Sequence, residues 1–553
     1  MKSKRLLVTL LAATMAFSSL AGCSGSSGSS SAQNTGDGSS AGGGASAGIM
    51  NETGLPIVNE GVTIRIASYT GTAHQDGFEG IEQVQRWCEE TGINLEFDTV
   101  PQTSWETHKT LIFSSGDIPD MICTNAGLTD SDVLSYADQG LIIPLEDLIA
   151  QYGENLNAIL EENPNYRTKM YDTEGHIWSY PALADIDFGD RGNLTFVNKE
   201  WIAEAGIDVT YEEGEYVDLI TDIFTTDEFH DMLVKFKEQH PNTYPFILQG
   251  GASAFTDYYA SFDAYDNGSH LMLEDGVVSF TATNPNLKNG IQWFNQLYSE
   301  GLIDPESFTL DFESFSAKIS ADQGDTFGVV NAWTMQQFYD MSDPRFENWA
   351  VMLPFEGPNG TVAWPRTVSS VINGFGVITT ESKYPEICAR LMDYFYSEYN
   401  SVDLMIGPLG SATIANDDGT YTQVPQPEGV TYDEWIGSKN AGCMPFICPP
   451  SVTSRCTYND AVAMTIEVGM YYRPYQQQKN LPGLNLTTEN NQIVADFKAN
   501  AVDYINRKNA EWITQGGVEE QWDAYVEELN KMGVDEYVRI YQEAYDAVKE
   551  YLN

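Results

Sequence analysis

VTIRIASYT (Val62–Thr70) places Val62, Ile64 and Ile66 on one face, the pattern of a strand whose two sides meet different surroundings. After a Gly-containing loop, Phe78, Ile81, Val84 and Cys88 recur at helical spacing, and Gly92 stands where a left-handed helix cap is expected. Ile93, Leu95 and Phe97 then return to a period of two. Thr103 with Glu106 is a capping-box signature for the next helix, which runs toward Ser115. SGDIPDMIC (Ser115–Cys123) is a turn feeding another short apolar strand. Strands alternating with helices predict an open α/β sheet, in which ligands sit beyond the carboxyl ends of the strands. That rule singles out the loops Ser68–Gln75 and Thr124–Gly127.

Ahead of this unit, Lys2, Lys4 and Arg5 precede an uncharged apolar run, Leu6–Leu20. At about 15 residues it has the size of a secretory signal core and falls short of the roughly 20 that span a bilayer. Leu20, Ala21, Gly22 and Cys23 resemble the lipobox of bacterial lipoproteins, which implies removal of residues 1–22 and a diacylglyceryl thioether on Cys23. The Ser/Gly-rich run that follows buries too little apolar surface to offset its conformational entropy, so 23–59 is expected to be a lipidated tether. The chain as a whole carries 80 acidic against 28 basic residues, a net charge of -52. Such a surface repels nucleic acid and anionic lipid. With 42% hydrophobic and 12% aromatic residues, the remainder, roughly 490 residues, is large enough for two or more lobes.

SGDIPDMI (Ser115–Ile122), ADQGLIIPLEDLI (Ala137–Ile149), FVNKEWIAEAGID (Phe196–Asp208), LYSEGLIDPESFT (Leu297–Thr309) and SKYPEICARLMDYFYS (Ser382–Ser397) occur in the order found in family 1 extracellular solute-binding proteins. WDAYVEELNKMGVDEYVRIYQEAYD (Trp522–Asp546) is similar to the long lipoprotein subgroup of that family. The resemblance implies a two-lobed α/β fold of the periplasmic-binding-protein type II class, with a cleft between lobes joined by crossing strands. It implies a membrane-anchored monomer outside the cytoplasm that delivers a small polar solute, in most relatives a sugar or oligosaccharide, to the permease of an ABC importer. The expected lobes are 60–193 plus 368–485 and 194–367 plus 486–553. Leu194–Asn198 and Phe375–Thr379, with a third crossing near Leu484, are the expected hinges. GPLGSAT (Gly407–Thr413) departs from the subgroup's pattern.

A sugar site needs flat aromatic faces for the C–H surface of a pyranose and planar polar groups for its hydroxyls. Trp178 in GHIWSYP lies near the expected hinge, and Trp333 in VVNAWTMQQF resembles the segment whose Trp stacks on sugar in maltose-binding relatives. Tyr69 and Asn125 follow strands, and Arg191, Tyr258 and Arg366 occupy irregular or crossing segments. Packing is the competing role for each aromatic; Arg366 could equally pair with a surface carboxylate. Other motifs read as scaffold: Asp117 and Asp120 flank Pro119 as turn and cap residues, Thr225 and Glu228 cap a helix ended by Pro241, and Tyr537, Tyr541, Ala544 and Val548 form one face of a closing helix with Asp535 as N-cap.

HExxH and GxxxxGK[ST] are missing from the sequence, GxSxG is met at Gly38–Gly42 and Gly44–Gly48 within the Ser/Gly-rich run, where no strand-to-helix elbow is expected, and no GxGxxG follows a strand. The histidines at 74, 108, 176, 230, 240 and 270 are scattered. Cys443, Cys448 and Cys456 allow a loop-closing disulfide, while their spacing fits no common zinc pattern; Cys88 and Cys388 read as core. The expectation is therefore a binding protein without cofactor, metal or reaction. A secreted carbohydrate hydrolase, a binder of peptides or other polar solutes, and an adhesive lipoprotein are the alternatives. Replacement of Cys23 by Ala is expected to move the protein from the membrane fraction to the medium, as followed by immunoblot of separated fractions; a variant that stays with the membrane would overturn the anchor.

Overall fold

A computed structural model describes residues 48–552, except 60, 71–76, 125–127, 187–191, 251–253, 311, 322–325, 336–337, 340, 342, 366–370, 426 and 428–431. The chain opens with β1 (Val62–Thr70), β2 (Ile93–Pro101), β3 (Met121–Cys123) and β4 (Tyr180–Ala184). β1 lies parallel to both β2 and β3, with Ile66 opposite Phe97 and Met121. The intervening helix, Glu82–Thr91, ends on Gly92 in the left-handed region at φ 73°, as the sequence predicts.

The chain then passes to the second lobe, with β5 (Leu194–Asn198), β6 (Tyr211–Glu212), β7 (Asp218–Ile220), β8 (Phe246–Leu248), a separate hairpin of β9 (Leu271–Glu274) and β10 (Val277–Phe280), β11 (Val329–Ala332), β12 (Trp349–Met352) and the short strand β13 (Trp364–Pro365). It returns on β14 (Ile372–Ile378), adds β15 (Thr413–Ala415), β16 (Tyr421–Gln423), β17 (Ile447–Cys448) and β18 (Cys456–Thr457), and closes with β19 (Gln476–Gln477), which pairs with β13. The resulting six-stranded sheets run β17-β4-β14-β3-β1-β2 and β6-β7-β12-β5-β11-β8.

Each sheet contains a central strand that runs against its neighbours. β14 is antiparallel to β3 and β4, and β5 is antiparallel to β11 and β12. The sequence assigns Leu194–Asn198 and Phe375–Thr379 to hinges. Instead, Leu194–Asn198 is fully buried and bonded on both sides, and Phe375–Ile378 lies inside β14. The connections lie just ahead of these strands, at 185–193 and 366–371.

Two apolar cores follow the two sheets. The first gathers Ile64, Ile66, Trp87, Ile93, Met121, Tyr180 and Leu391. Ile57 and Val58 also belong to it at 1% and 2% exposure, so the part of the expected tether from Ile49 onward is built into the body. The second core surrounds Phe196, Phe246, Val330 and Trp349 and takes in the closing helices through Trp512, Trp522 and Tyr537. Met464, Val468 and Tyr472 of the helix Asp460–Tyr472 sit in this second core, whereas the sequence keeps residues up to 485 with the first. The third passage between lobes accordingly falls between Thr457 and Asp460, ahead of Leu484.

Local signals fared unequally. Thr225 and Glu228 form the expected reciprocal cap, with the Glu228 N–H donating to Thr225 Oγ1 at 3.2 Å and the Thr225 N–H to Glu228 Oε2 at 2.8 Å. Thr103 and Glu106 do not, because a 3-10 turn over Gln102–Ser104 takes the capping position and the helix starts at Trp105. Gly533 rather than Asp535 caps the final long helix, although Tyr537, Ala544 and Val548 bury the expected face. Asp117 pairs with Arg65, and Asp120 accepts the Arg65 N–H and the Ser382 hydroxyl.

Gly374, at the irregularity where β14 shifts register against β4, has φ +83°. A Cβ there would lie 2.2 Å from the Leu128 carbonyl oxygen, whose own N–H donates to Gly374 O. Gly374→Ala is expected to lower unfolding free energy by about 2–4 kcal/mol, measured as the midpoint of guanidinium denaturation; an unchanged midpoint would remove the constraint.

Candidate functional site

In the first sheet β1, β2, β3, β4 and β17 share one direction, and in the second β7, β8, β11 and β12 do. The connection 185–193 leaves the carboxyl end of β4 and enters β5 at Leu194, which lies opposite Ala332 at the carboxyl end of β11. The chain re-enters the first sheet on β14, whose Ile372 lies opposite Ala182 of β4. The passage into β5 therefore joins the carboxyl-end edges of the two sheets, and the cleft of this two-lobed fold lies between those edges.

On the second lobe this edge is a polar platform. Gln249, directly after β8, donates its N–H to Asn331 O at 3.0 Å, and its own carbonyl accepts Asn193 Nδ2 at 2.9 Å. Its side-chain Oε1 accepts the Trp333 N–H at 3.4 Å. One residue thus ties together the start of β5 and the ends of β8 and β11, with partly buried Trp333 resting on the junction. Beside it, Asp257 accepts the backbone N–H of Asn193 and approaches Gly192 so closely that a Cβ there would lie 2.6 Å from its Oδ1. Burial pushes the Asp257 carboxyl up to about 7, with the Asn193 N–H opposing the shift.

On the first lobe, Trp178 is partly buried and donates Nε1–H to Asp172 Oδ2 at 2.8 Å. Asp172 Oδ1 in turn accepts the N–H groups of Glu174 and His176 at 2.9 Å, which fixes the turn that carries the indole. Next to Trp178, a segment of the second lobe reaches across: Asn485 Nδ2 donates to the carbonyls of Lys169 and Tyr171 at 2.6 and 3.1 Å. Asn373 also donates to Lys169 O, the Lys169 ammonium bonds Leu484 O at 3.3 Å, and the Thr488 hydroxyl bonds Asp138 at 2.8 Å. The C-terminal turn Lys549–Leu552 meets Pro164–Met170 nearby.

The structure sorts the sequence candidates. Trp333 directly follows β11 at the carboxyl-end edge of the second sheet, whereas Trp178 precedes the amino end of β4 and lies beside Asn373 and Asn485; both keep accessible surface. Tyr69, at the end of β1, is 5% exposed with its ring 5.6 Å from Trp105. Tyr258 is 1% exposed, its ring stacked on Phe355 at 5.6 Å and edge-on to Trp364 at 5.0 Å, and its hydroxyl is 2.8 Å from Thr195 Oγ1. It belongs to the core of the second lobe, where enclosure by rings leaves no face for a solute. Asn125, Arg191, Arg366 and Cys23 lie outside the described residues, as does His74. Sequence reasoning passed over Gln249 and Asp257. Gln249 follows an apolar strand and could have been found by the rule that drew attention to Asn125; Asp257 carries no such signal.

Among the described residues no group of three or more His, Cys, Asp or Glu is arranged to hold a metal, and Cys88, Cys123, Cys388, Cys443, Cys448 and Cys456 are free thiols. The remaining histidines bind carboxylates or rings: His176 with Glu146, His230 with Glu300, His270 with Asp266, His108 with Asp98, and His240 stacked 3.7 Å from Trp201 and bonded to Glu204.

Residues 74–400 match the family described as bacterial extracellular solute-binding protein. The chain belongs to this family. Among similar members, the fructooligosaccharide ABC transporter substrate-binding protein FusA of Streptococcus pneumoniae serotype 4 is 32% identical over 490 residues, covering 84% of this chain and 86% of that one. The structure of S. pneumoniae FusA in complex with kestose superposes with a TM-score of 0.69 at 30% identity, over 88% of this chain and 99% of the other. An extracellular solute-binding protein from Bifidobacterium longum subsp. infantis shares the fold at a TM-score of 0.73 and 21% identity, over 88% and 98% of the two chains. As in other solute-binding proteins of this family, the two lobes meet across a cleft; among the described residues no helix is long and apolar enough to cross a membrane.

Because the Asp257 carboxyl is held above its unfolded value, the neutral form favours the folded state. Its contribution is complete below about pH 4 and is lost as pH rises through about 7. Asp257→Asn is expected to flatten the stability profile across this window and to gain about 2 kcal/mol at pH 8. Melting temperatures of both proteins from pH 4 to pH 8 check this, and parallel curves would overturn it.

Proposed function

We propose that this chain is the membrane-anchored solute-binding component of an ABC importer and that its solute is a neutral oligosaccharide. The observation that carries the reading is Trp333, a partly buried residue whose backbone N–H is held by Gln249 where β5, β8 and β11 meet at the cleft edge. An aromatic face framed by amide groups suits the alternating C–H and hydroxyl surface of a sugar. The relative named for fructooligosaccharide, similar across most of this chain, supports the same class.

In this reading Trp333 stacks on the sugar from the second lobe and Trp178 from the first. Asn125, Arg191 and Arg366 sit in segments that follow or join strand ends and supply polar contacts. The first lobe comprises residues from about 48 to 193 with 368 to about 459, and the second comprises 194 to 367 with about 460 to the end of the chain. A sugar touching both edges stabilises the closed arrangement by its differential affinity for it, and that form presents the surface the permease reads. Cys23 carries the lipid anchor, and the solute leaves unaltered.

With kestose as probe, the purified body is expected to melt at a higher temperature, to contract in solution scattering, and to return the trisaccharide intact by chromatography. Trp333→Ala is expected to weaken binding by about tenfold or more. Released fructose would replace the binding reading with a hydrolase, and no response to kestose or longer fructans would remove this sugar class.

A further inference from the structure

Two side-chain amides meet at the cleft edge of the second lobe, and each has one end fixed by the backbone. Gln249 follows β8, and its Oε1 accepts the Trp333 N–H at 3.4 Å. A backbone N–H bonds to an oxygen and not to an amide nitrogen, so this contact sets which way the Gln249 amide is turned and leaves Nε2 as its open end. Asn193 is the last residue of the passage into β5, and its Nδ2 donates to Gln249 O at 2.9 Å. A carbonyl oxygen accepts and never donates, so Oδ1 is the open end of the Asn193 amide.

Neither open end is used within the protein. Among the described residues Gln249 Nε2 and Asn193 Oδ1 have no hydrogen-bond partner, and neither atom is buried, so both keep accessible surface on partly buried side chains. Asn193 is held at a second point, where its own N–H donates to the buried carboxyl of Asp257, and at a third, because Leu194 is paired inside the sheet opposite Ala332. A donor and an acceptor are thus preset on two touching residues, with little ordering left for a solute to impose.

The two open ends together limit what they can take. A carboxylate accepts from Gln249 Nε2–H but has no proton for Asn193 Oδ1 and is repelled by that oxygen. An ammonium donates to Asn193 Oδ1 but can accept nothing from Gln249. A hydroxyl donates and accepts at once, and two adjacent hydroxyls can each serve one end. A peptide unit offers the same two functions, and Trp333 on the same edge decides between them, since an aromatic surface beside hydroxyl-reading amides suits a sugar. We infer that Gln249 and Asn193 are specificity-determining residues that read the hydroxyls of a neutral sugar as a donor–acceptor pair, an assignment that rests on the sugar reading given to Trp333. Gln249 donates to one hydroxyl oxygen, and Asn193 accepts from the same or the adjacent hydroxyl.

The test separates direct contact from mere support of Trp333. Gln249→Glu keeps an oxygen for the Trp333 N–H and turns the open donor into a second oxygen, whereas Gln249→Ala removes both. In titration calorimetry with kestose, Gln249→Glu is expected to bind about tenfold or more weaker than the parent protein, and Asn193→Ala about fivefold or more weaker. Parent-like affinity in Gln249→Glu, with the loss confined to Gln249→Ala, would reduce Gln249 to a support and overturn the pair. A series of singly deoxygenated kestoses needs no variant to fold: at least one is expected to bind the parent about tenfold weaker, and to lose nothing further in Gln249→Glu. Full affinity of the parent for every member of the series would overturn the pair as well. Binding of trialanine in place of kestose, with the same dependence on Gln249, would assign the two amides to a peptide. A parent protein that binds neither would remove the sugar reading itself, and the pair with it, so the two failures are told apart by the parent's response to kestose.

Discussion

The fold depends on one constraint: in each sheet a central strand runs against its neighbours, and the chain enters each lobe on that strand. β5 is reached from the carboxyl end of β4, and β14 from the short strand β13. A strand entered from a carboxyl-end edge must start there and run back through the sheet, so its direction is opposite to that of its neighbours. The two edges are thereby tied to each other by short lengths of backbone. Hydrogen bonds on both sides of β5 fix that geometry from within the second lobe, and β14 does the same in the first. Everything placed at those edges, including Trp333, Gln249 and Asp257, inherits its position from this arrangement.

Much of the scaffold could be read from the chain because its signals are local. The alternation of Val62, Ile64 and Ile66 needs only a sheet with one well-buried face, and the Thr225–Glu228 cap needs only four consecutive residues. The signals that misled were also local, but tertiary packing overrode them. A 3-10 turn before Trp105 displaced the Thr103–Glu106 cap, and the apolar face of Asp460–Tyr472 was claimed by the second core. Tyr258 shows the limit most clearly. An aromatic residue on an irregular segment looks the same in sequence whether it faces a cleft or, as here, Phe355 and Trp364.

Acidic residues posed the corresponding problem for the polar part of the site. With 80 in the chain, none stands out by identity. In the folded protein several prove to be structural. Asp393 accepts the N–H groups of Asn155 and Leu156 at the start of a helix. Asp403 accepts from Gln83, Arg86 and the Leu409 N–H, and Asp266 accepts from Thr281 and bonds His270. Burial raises Asp393 and Asp403 above the usual carboxylate range even though each is well bonded. Asp257 is distinguished from these by location, beside the backbone that joins the lobes.

The bonds from Asn485 to the carbonyls of Lys169 and Tyr171 also limit how the molecule can move. A displacement that kept them intact could not pull the halves straight apart; it would have to swing one about the other with Asn485 near the fulcrum. Trp178, adjacent to that point, would travel little, whereas groups farther along the cleft edge would sweep the larger arc. On this geometry the indole of Trp178 would stay nearly in place while the far end of the cleft edge takes up most of the displacement.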